Sequence, residues 1–163
     1  MNYEQRNPMK NSAKNVLFLC DSNSVYSPIA EAYLNKKAKK NFKAFSAGFN
    51  TKSINPNIVH VLREDGIDLS KHDAKSIYSL NLSDIQFDYV ISFCDPENPT
   101  QHPVFPHKHK MIKWNVRSSF TKRDTDLSSE QAARKTRDQI KASVYEFIED
   151  QLAMFEEYSL QLV

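Results

Sequence analysis

The chain has 163 residues, 40% hydrophobic and 26% charged, with a formal net charge of +2. That length suits one core of ordinary size and not two comfortable domains. The small, scattered positive charge argues against nucleic acid or a membrane surface as a partner, since general electrostatic binding needs a concentrated basic face.

Residues 1–14 are polar and without periodicity, which predicts a disordered N-terminal tail. A single domain is expected over 15–163. Val16 to Cys20 is uninterruptedly apolar, as in a strand covered on both faces of a parallel sheet. It is also the longest apolar run, far short of the roughly 20 residues that cross a bilayer, and the N-terminus lacks a signal-peptide pattern, so a cytoplasmic location is expected. Ser27-Pro28 places a hydroxyl at a helix N-cap and a proline at the first helical position, with Ile29, Ala30, Tyr33, Leu34 and Ala38 following at helical spacing. The lysine cluster between Lys36 and Lys40 reads as the solvated end of that helix. Ala44-Phe45-Ser46 is a short neighbouring strand, Asn55-Pro56 caps a second helix carrying Ile58, Val59 and Leu62, and Gly66 ends it. Ile67 to Leu80 is a connection with a short helix. Phe87 to Phe93 is a buried strand terminating at Cys94, the proline-rich stretch Asp95 to Pro106 is loop, and Met111 to Trp114 is the last strand. A long final helix opens with Ser128 as N-cap and Gln131 three residues on, and carries Ala132, Ile140, Val144, Phe147, Ile148 and Leu152 inward. The expected fold class is therefore α/β: a doubly wound, mainly parallel four-stranded sheet with helices on both faces.

Ligands of such sheets sit beyond the carboxyl ends of the strands, where both cysteines lie. With only two cysteines, a disulfide framework is not expected. The segment Cys20-Asp21-Ser22-Asn23-Ser24-Val25-Tyr26-Ser27 runs from a strand end into a helix N-terminus, so successive backbone N–H groups and the positive helix end can converge on an anion. The same field favours a thiolate nucleophile, and Ser27 can add a hydroxyl hydrogen bond to the sulfur. On local grounds alone, Cys20 packing as a small apolar residue at a strand end stands equally open.

The segment resembles the signature loop of the low-molecular-weight tyrosine phosphatase and thioredoxin-coupled arsenate reductase superfamily: Cys, two residues, Asn-Ser, one residue, Arg-Ser, then a helix. Cys20, Asn23, Ser24, Ser27 and the helical Ile29-Ala30-Glu31-Ala32 match. Further matches follow in order: Ser46-Ala47-Gly48, Asn55-Pro56, Gly66 to Ser70, Asp88 to Ile91, Cys94-Asp95 and Phe105-Pro106. The likeness runs from about Asn15 to Leu152, and Cys94 with its proline-rich loop resembles the arsenate-reductase branch more than the phosphatases. It implies the family fold, Cys20 as nucleophile, and residues Asp21, Ser22, Asn23, Ser24, Val25 and Tyr26 as a cradle for phosphate, arsenate or a sulfate-like oxyanion. No cofactor is implied.

The pattern breaks at the chemistry. The loop arginine of the family is Tyr26 here, a neutral hydroxyl in place of a charged fork; loss of one well-placed transition-state donor commonly costs about 10²- to 10³-fold in rate. The family's general acid, an Asp before Pro, aligns with Asn115-Val116-Arg117-Ser118-Ser119, which has no carboxylate. The resolving cysteine of the arsenate-reductase branch aligns near Gln101-His102-Pro103. Asp21 adds a carboxylate that repels an oxyanion.

Three readings follow: a divergent oxyanion-binding or regulatory module with weak or no catalysis; a working reductase or phosphatase that recruits Arg117 and with it Asp124 or His102; and a thiol switch pairing Cys20 with Cys94. Asp124 and Asp126, in a polar stretch, are weak substitutes for the missing acid. His102, His107 and His109 lack converging partners with ligand spacing, so no metal is expected. His60 and His72 read as structural, and Trp114 and Tyr89 as core aromatics.

Overall fold

A computed structural model of the chain describes residues 12–94, 103–116 and 128–161. Its elements run β1 (Lys14–Cys20), α1 (Tyr26–Ala38), β2 (Phe42–Gly48), α2 (Pro56–Arg63), a 3-10 helix (Ile77–Ser79), β3 (Tyr89–Ser92), β4 (Lys110–Lys113) and α3 (Ser129–Gln161). The four strands form one sheet in the order β2-β1-β3-β4, with every pairing parallel. Among the described residues no helix is long and apolar enough to cross a membrane.

The apolar run of β1 is buried on both sides, and its alternation divides the core. Val16 and Phe18 join Ile29, Leu34, Ile140 and Val144 under α1 and α3. Leu17 and Leu19 face a smaller cluster with Ala47, Ile77, Phe87 and Val90, closed by the 3-10 helix and the connection after it.

The strand boundaries shift from those expected. Lys14, placed in the tail by the sequence reading, is the first residue of β1: its N–H bonds Asn41 O at 2.8 Å and its ammonium pairs with Asp88 at 3.3 Å. Residues 1–11, most of the expected tail, lie outside the described residues. β2 extends well beyond Ala44-Phe45-Ser46, because its whole length pairs with β1 in register from Lys14↔Phe42 to Cys20↔Gly48. β3 is shorter than the apolar run Phe87 to Phe93: Phe87 is buried ahead of the strand, and Phe93, half-buried just past it, still donates its N–H to Leu19 O at 2.8 Å.

The helix ends follow local chemistry. Asn55 Oδ1 accepts from Asn57 N at 2.9 Å with Pro56 behind it, and Gly66, at φ +71°, takes the left-handed turn that lets Ile67 N reach Leu62 O at 3.0 Å. Ser128 and Gln131 form a reciprocal capping box at the start of α3. At α1 the expectation fails. The helix begins at Tyr26 with Val25 at the cap position and no side-chain cap, because the Ser27 hydroxyl is directed to other partners.

Sequential strands run β1 to β2 on one side and β3 to β4 on the other. The loops leaving β1 and β3 therefore diverge at adjacent strand ends, the crevice where open parallel sheets bind ligands. Cys20 ends β1, and Cys94 lies just past the end of β3.

Candidate functional site

The loop after Cys20 turns on Asn23, which among the described residues is the only non-glycine with positive φ, at +50°. An asparagine tolerates this left-handed backbone better than most residues, and here its side chain secures it. Asn23 Nδ2 donates to Ser27 Oγ and to Ser46 Oγ, each at 2.9 Å. Its Oδ1 accepts from Lys75 N at 2.8 Å and from His72 Nε2 at 3.2 Å. All four positions of the buried amide are filled. Gly48 permits the close approach: a Cβ there would stand 2.6 Å from Asn23 N and 2.8 Å from Asp21 O.

The carbonyls of Asp21, Ser22 and Ser24 are drawn to one side, accepting from Asn50 N (2.7 Å), Lys52 N (3.0 Å) and Asn55 N (3.0 Å). The peptide bonds are trans and planar, so the following N–H groups of Ser22, Asn23 and Val25 point to the opposite side. The Asn23 N–H does so visibly, donating to Cys20 Sγ at 3.2 Å. The N–H groups of Tyr26 and Ser27 open α1 and so have no partner within the helix. The loop thus gathers backbone donors around the cysteine.

Cys20 itself is buried, with Ser27 Oγ 2.8 Å from its sulfur. Ser27 Oγ also accepts from Asn23 Nδ2, and between Oγ and Sγ either atom can donate. Sγ thus meets both the Asn23 N–H and the Ser27 hydroxyl. Behind them Ser46 donates to a Glu31 carboxylate oxygen, and Lys75 Nζ stands 3.3 Å from the same oxygen. His72 is half-buried; burial, and secondly the charge of Lys75, hold its imidazole below the ordinary range, so a neutral ring donates through Nε2.

Tyr26 is half-buried, and its ring stacks on Phe93 with centroids 5.8 Å apart and 22° between planes. Phe93 in turn meets Trp114 edge-on at 5.7 Å, and Trp114 packs on Phe18. The tyrosine thus joins an aromatic wall above the sheet. Cys94 is half-buried, and burial pushes its thiol up. Asp21 is exposed, and its carboxylate accepts from Asn50 Nδ2 at 2.8 Å.

The model of the low molecular weight phosphotyrosine protein phosphatase family matches residues 15–158. The chain belongs to this family. Its curated relatives include an arsenate reductase of Bacillus licheniformis, 29% identical over 138 residues, or 85% of this chain and 97% of the relative. A solved arsenate reductase in the phosphate binding state superposes with a TM-score of 0.62 at 27% identity, covering 84% of this chain and 98% of that one. A low molecular weight protein tyrosine phosphatase from T. tengcongensis gives a TM-score of 0.67 at 25% identity, covering 85% and 99%.

Within this family fold, Cys20, Asn23 and Ser27 come together as the motif implies, whereas Tyr26 turns to the aromatic wall. Arg117, His102, Asp124 and Asp126 lie outside the described residues. His107 contacts the backbone carbonyl of Ser83, and His109 that of His107. The sequence reading gave no role to Glu31 or Lys75, and it treated His72 as merely structural. All three reach the loop through contacts between distant segments. It also missed the approach of His60, Glu64 and Glu130, whose ligand atoms lie within 4.8 Å of one another; Arg134 already pairs with both carboxylates there.

Proposed function

We propose that this chain is an oxyanion-binding member of the family with weak or no phosphatase or arsenate-reductase turnover. The observation that carries the reading is the loop itself: Cys20 stands among inward amides, while the position of the family's arginine is a tyrosine stacked on Phe93. Backbone donors and a helix end hold an anion without side-chain charge. Turnover asks more, because charge developing on the transferred group needs fixed donors aimed at it, and the leaving group needs a proton. Tyr26 supplies one neutral hydroxyl, and the segment 115–119 has no carboxylate. Phosphate, arsenate or a sulfate-like anion is the ligand class, a reading supported by the similar arsenate reductase in the phosphate binding state. The test is titration with inorganic phosphate followed by amide NMR. Saturable shifts are expected at Ser22, Asn23, Val25 and Ser27, and unmoved amides overturn the reading.

The donors converging on Cys20 Sγ favour a second reading, in which thiol chemistry survives. Cys20 then works as a nucleophile with Arg117 supplying the missing charge, or closes a disulfide with Cys94. Mild peroxide followed by non-reducing mass measurement checks the switch: without a loss of two hydrogens it is wrong.

A further inference from the structure

Resting on the oxyanion-binding reading, the charges around the Cys20 loop define its ligand more narrowly. The backbone amides and the N-terminus of α1 supply partial positive charge, equivalent to about half an elementary charge for a helix end. Among the described residues, the charged side chains in hydrogen-bond contact with the loop or its supports are Asp21, Glu31 and Lys75. The exposed Asp21 carboxylate is held by Asn50, which fixes a negative charge on the loop next to Cys20. Lys75 is neutralised by Glu31, which stands beneath the loop and bonds Ser46. The His72 ring is neutral, and Tyr26 offers a phenol stacked on Phe93. A ligand bearing one negative charge is matched by the amides and the helix end. Among the described residues, a second charge meets the Asp21 carboxylate with no cation hydrogen-bonded to the loop and left unpaired to balance it.

We infer that the cradle selects a singly charged tetrahedral oxyanion, of the sulfate-monoester or sulfonate class, over a phosphate dianion. Sulfate monoesters present three terminal oxygens in the same tetrahedral shape as phosphate monoesters, so the amides discriminate by charge and not by form. The family scaffold is kept, and the ligand class moves with the replacement of arginine by Tyr26 and the presence of Asp21.

Methyl sulfate and methyl phosphate isolate this variable. They have the same shape, and a phosphate monoester loses its second proton near pH ~6. Amide NMR titrations of the full chain with each ligand at pH 8 and pH 5 read the comparison. His72, Asp21, Glu31, Lys75, Cys20 and Cys94 face the loop from its surrounding elements. At pH 5 both ligands carry one charge and these groups act on them alike, so the pH 5 ratio is the baseline against which the pH 8 ratio reports the extra ligand charge. At pH 8 methyl sulfate is expected to bind about tenfold tighter, a difference that closes to about threefold or less at pH 5. Tyr26→Arg is expected to reverse the order at pH 8, and Asp21→Asn to narrow the gap. Tighter binding of methyl phosphate at pH 8 by the native chain overturns the selectivity while leaving the cradle standing. Unmoved loop amides with both ligands at both pH values overturn the cradle itself.

Discussion

The Ser27 hydroxyl stands 2.8 Å from the Cys20 sulfur while accepting the Asn23 side-chain amide at 2.9 Å, so it links the two. A hydrogen bond of this kind contributes about 1 kcal/mol net, or roughly fivefold in an equilibrium. Ser27→Ala is expected to slow alkylation of Cys20 by iodoacetamide about fivefold at neutral pH, read by mass spectrometry on the Cys94→Ala background. An unchanged rate would mean that the hydroxyl serves only Asn23.

Gly48 packs under the loop where a Cβ would meet backbone atoms of Asn23 and Asp21, neither of which is a flexible side-chain end. Gly48→Ala is expected to destabilise the fold by about 1–3 kcal/mol, the usual range for overpacking, with amide shifts concentrated in residues 21–24. Denaturant unfolding and NMR check both parts.

Asn23 combines left-handed backbone with a fully satisfied buried amide. Asn23→Ala is expected to cost about 2–4 kcal/mol, because it leaves buried hydroxyls short of partners and retains the backbone strain. Asn23→Gly relieves the strain alone and should cost less. Equal losses in the two variants would show that backbone conformation contributes little.

Acid should weaken the fold in two stages. The His72 imidazole is held below its ordinary value of 6.5, chiefly by burial, so the unfolded chain takes up its proton first and stability declines as pH falls below 6.5. His72→Gln should remove that decline. The hydrogen bonds of Arg134, then of Arg137, hold the Glu64 carboxyl at about 2 against an ordinary 4.5. Its contribution is present above pH 4.5 and is lost as pH falls toward 2. Thermal melts across this range should fall more gently in Arg134→Met, and added salt should shrink the difference.

Much of the frame was legible because it rests on local signals. The apolar run into Cys20, the Asn55-Pro56 cap and the Ser128/Gln131 box each act within a few residues, and each appears in the structure where it was read. Ser27 misled for an instructive reason: a serine before proline resembles a helix cap, but its hydroxyl is taken by Cys20 and Asn23, and the helix starts two residues earlier, at Tyr26. The support beneath the loop was not legible. Ser46, His72 and Lys75 come from segments far from Asn23 in the chain, and only the sheet register and the bridge between Gly48 and Ser76 bring them together. Nor does the sequence reveal that Tyr26 stacks on Phe93, a contact made by the convergence of α1 with the end of β3.

The most direct test of the account is hydrolysis of an activated aryl phosphate at high protein concentration, comparing the native chain with Cys20→Ser and Tyr26→Arg. An activated leaving group needs little protonation, so the assay reports the cradle and not the acid. The account predicts negligible turnover by the native chain and a gain of about 10²-fold or more in Tyr26→Arg, the scale of one restored transition-state donor. Clear turnover by the native chain that vanishes in Cys20→Ser would contradict it and make the protein a working enzyme with replaced parts.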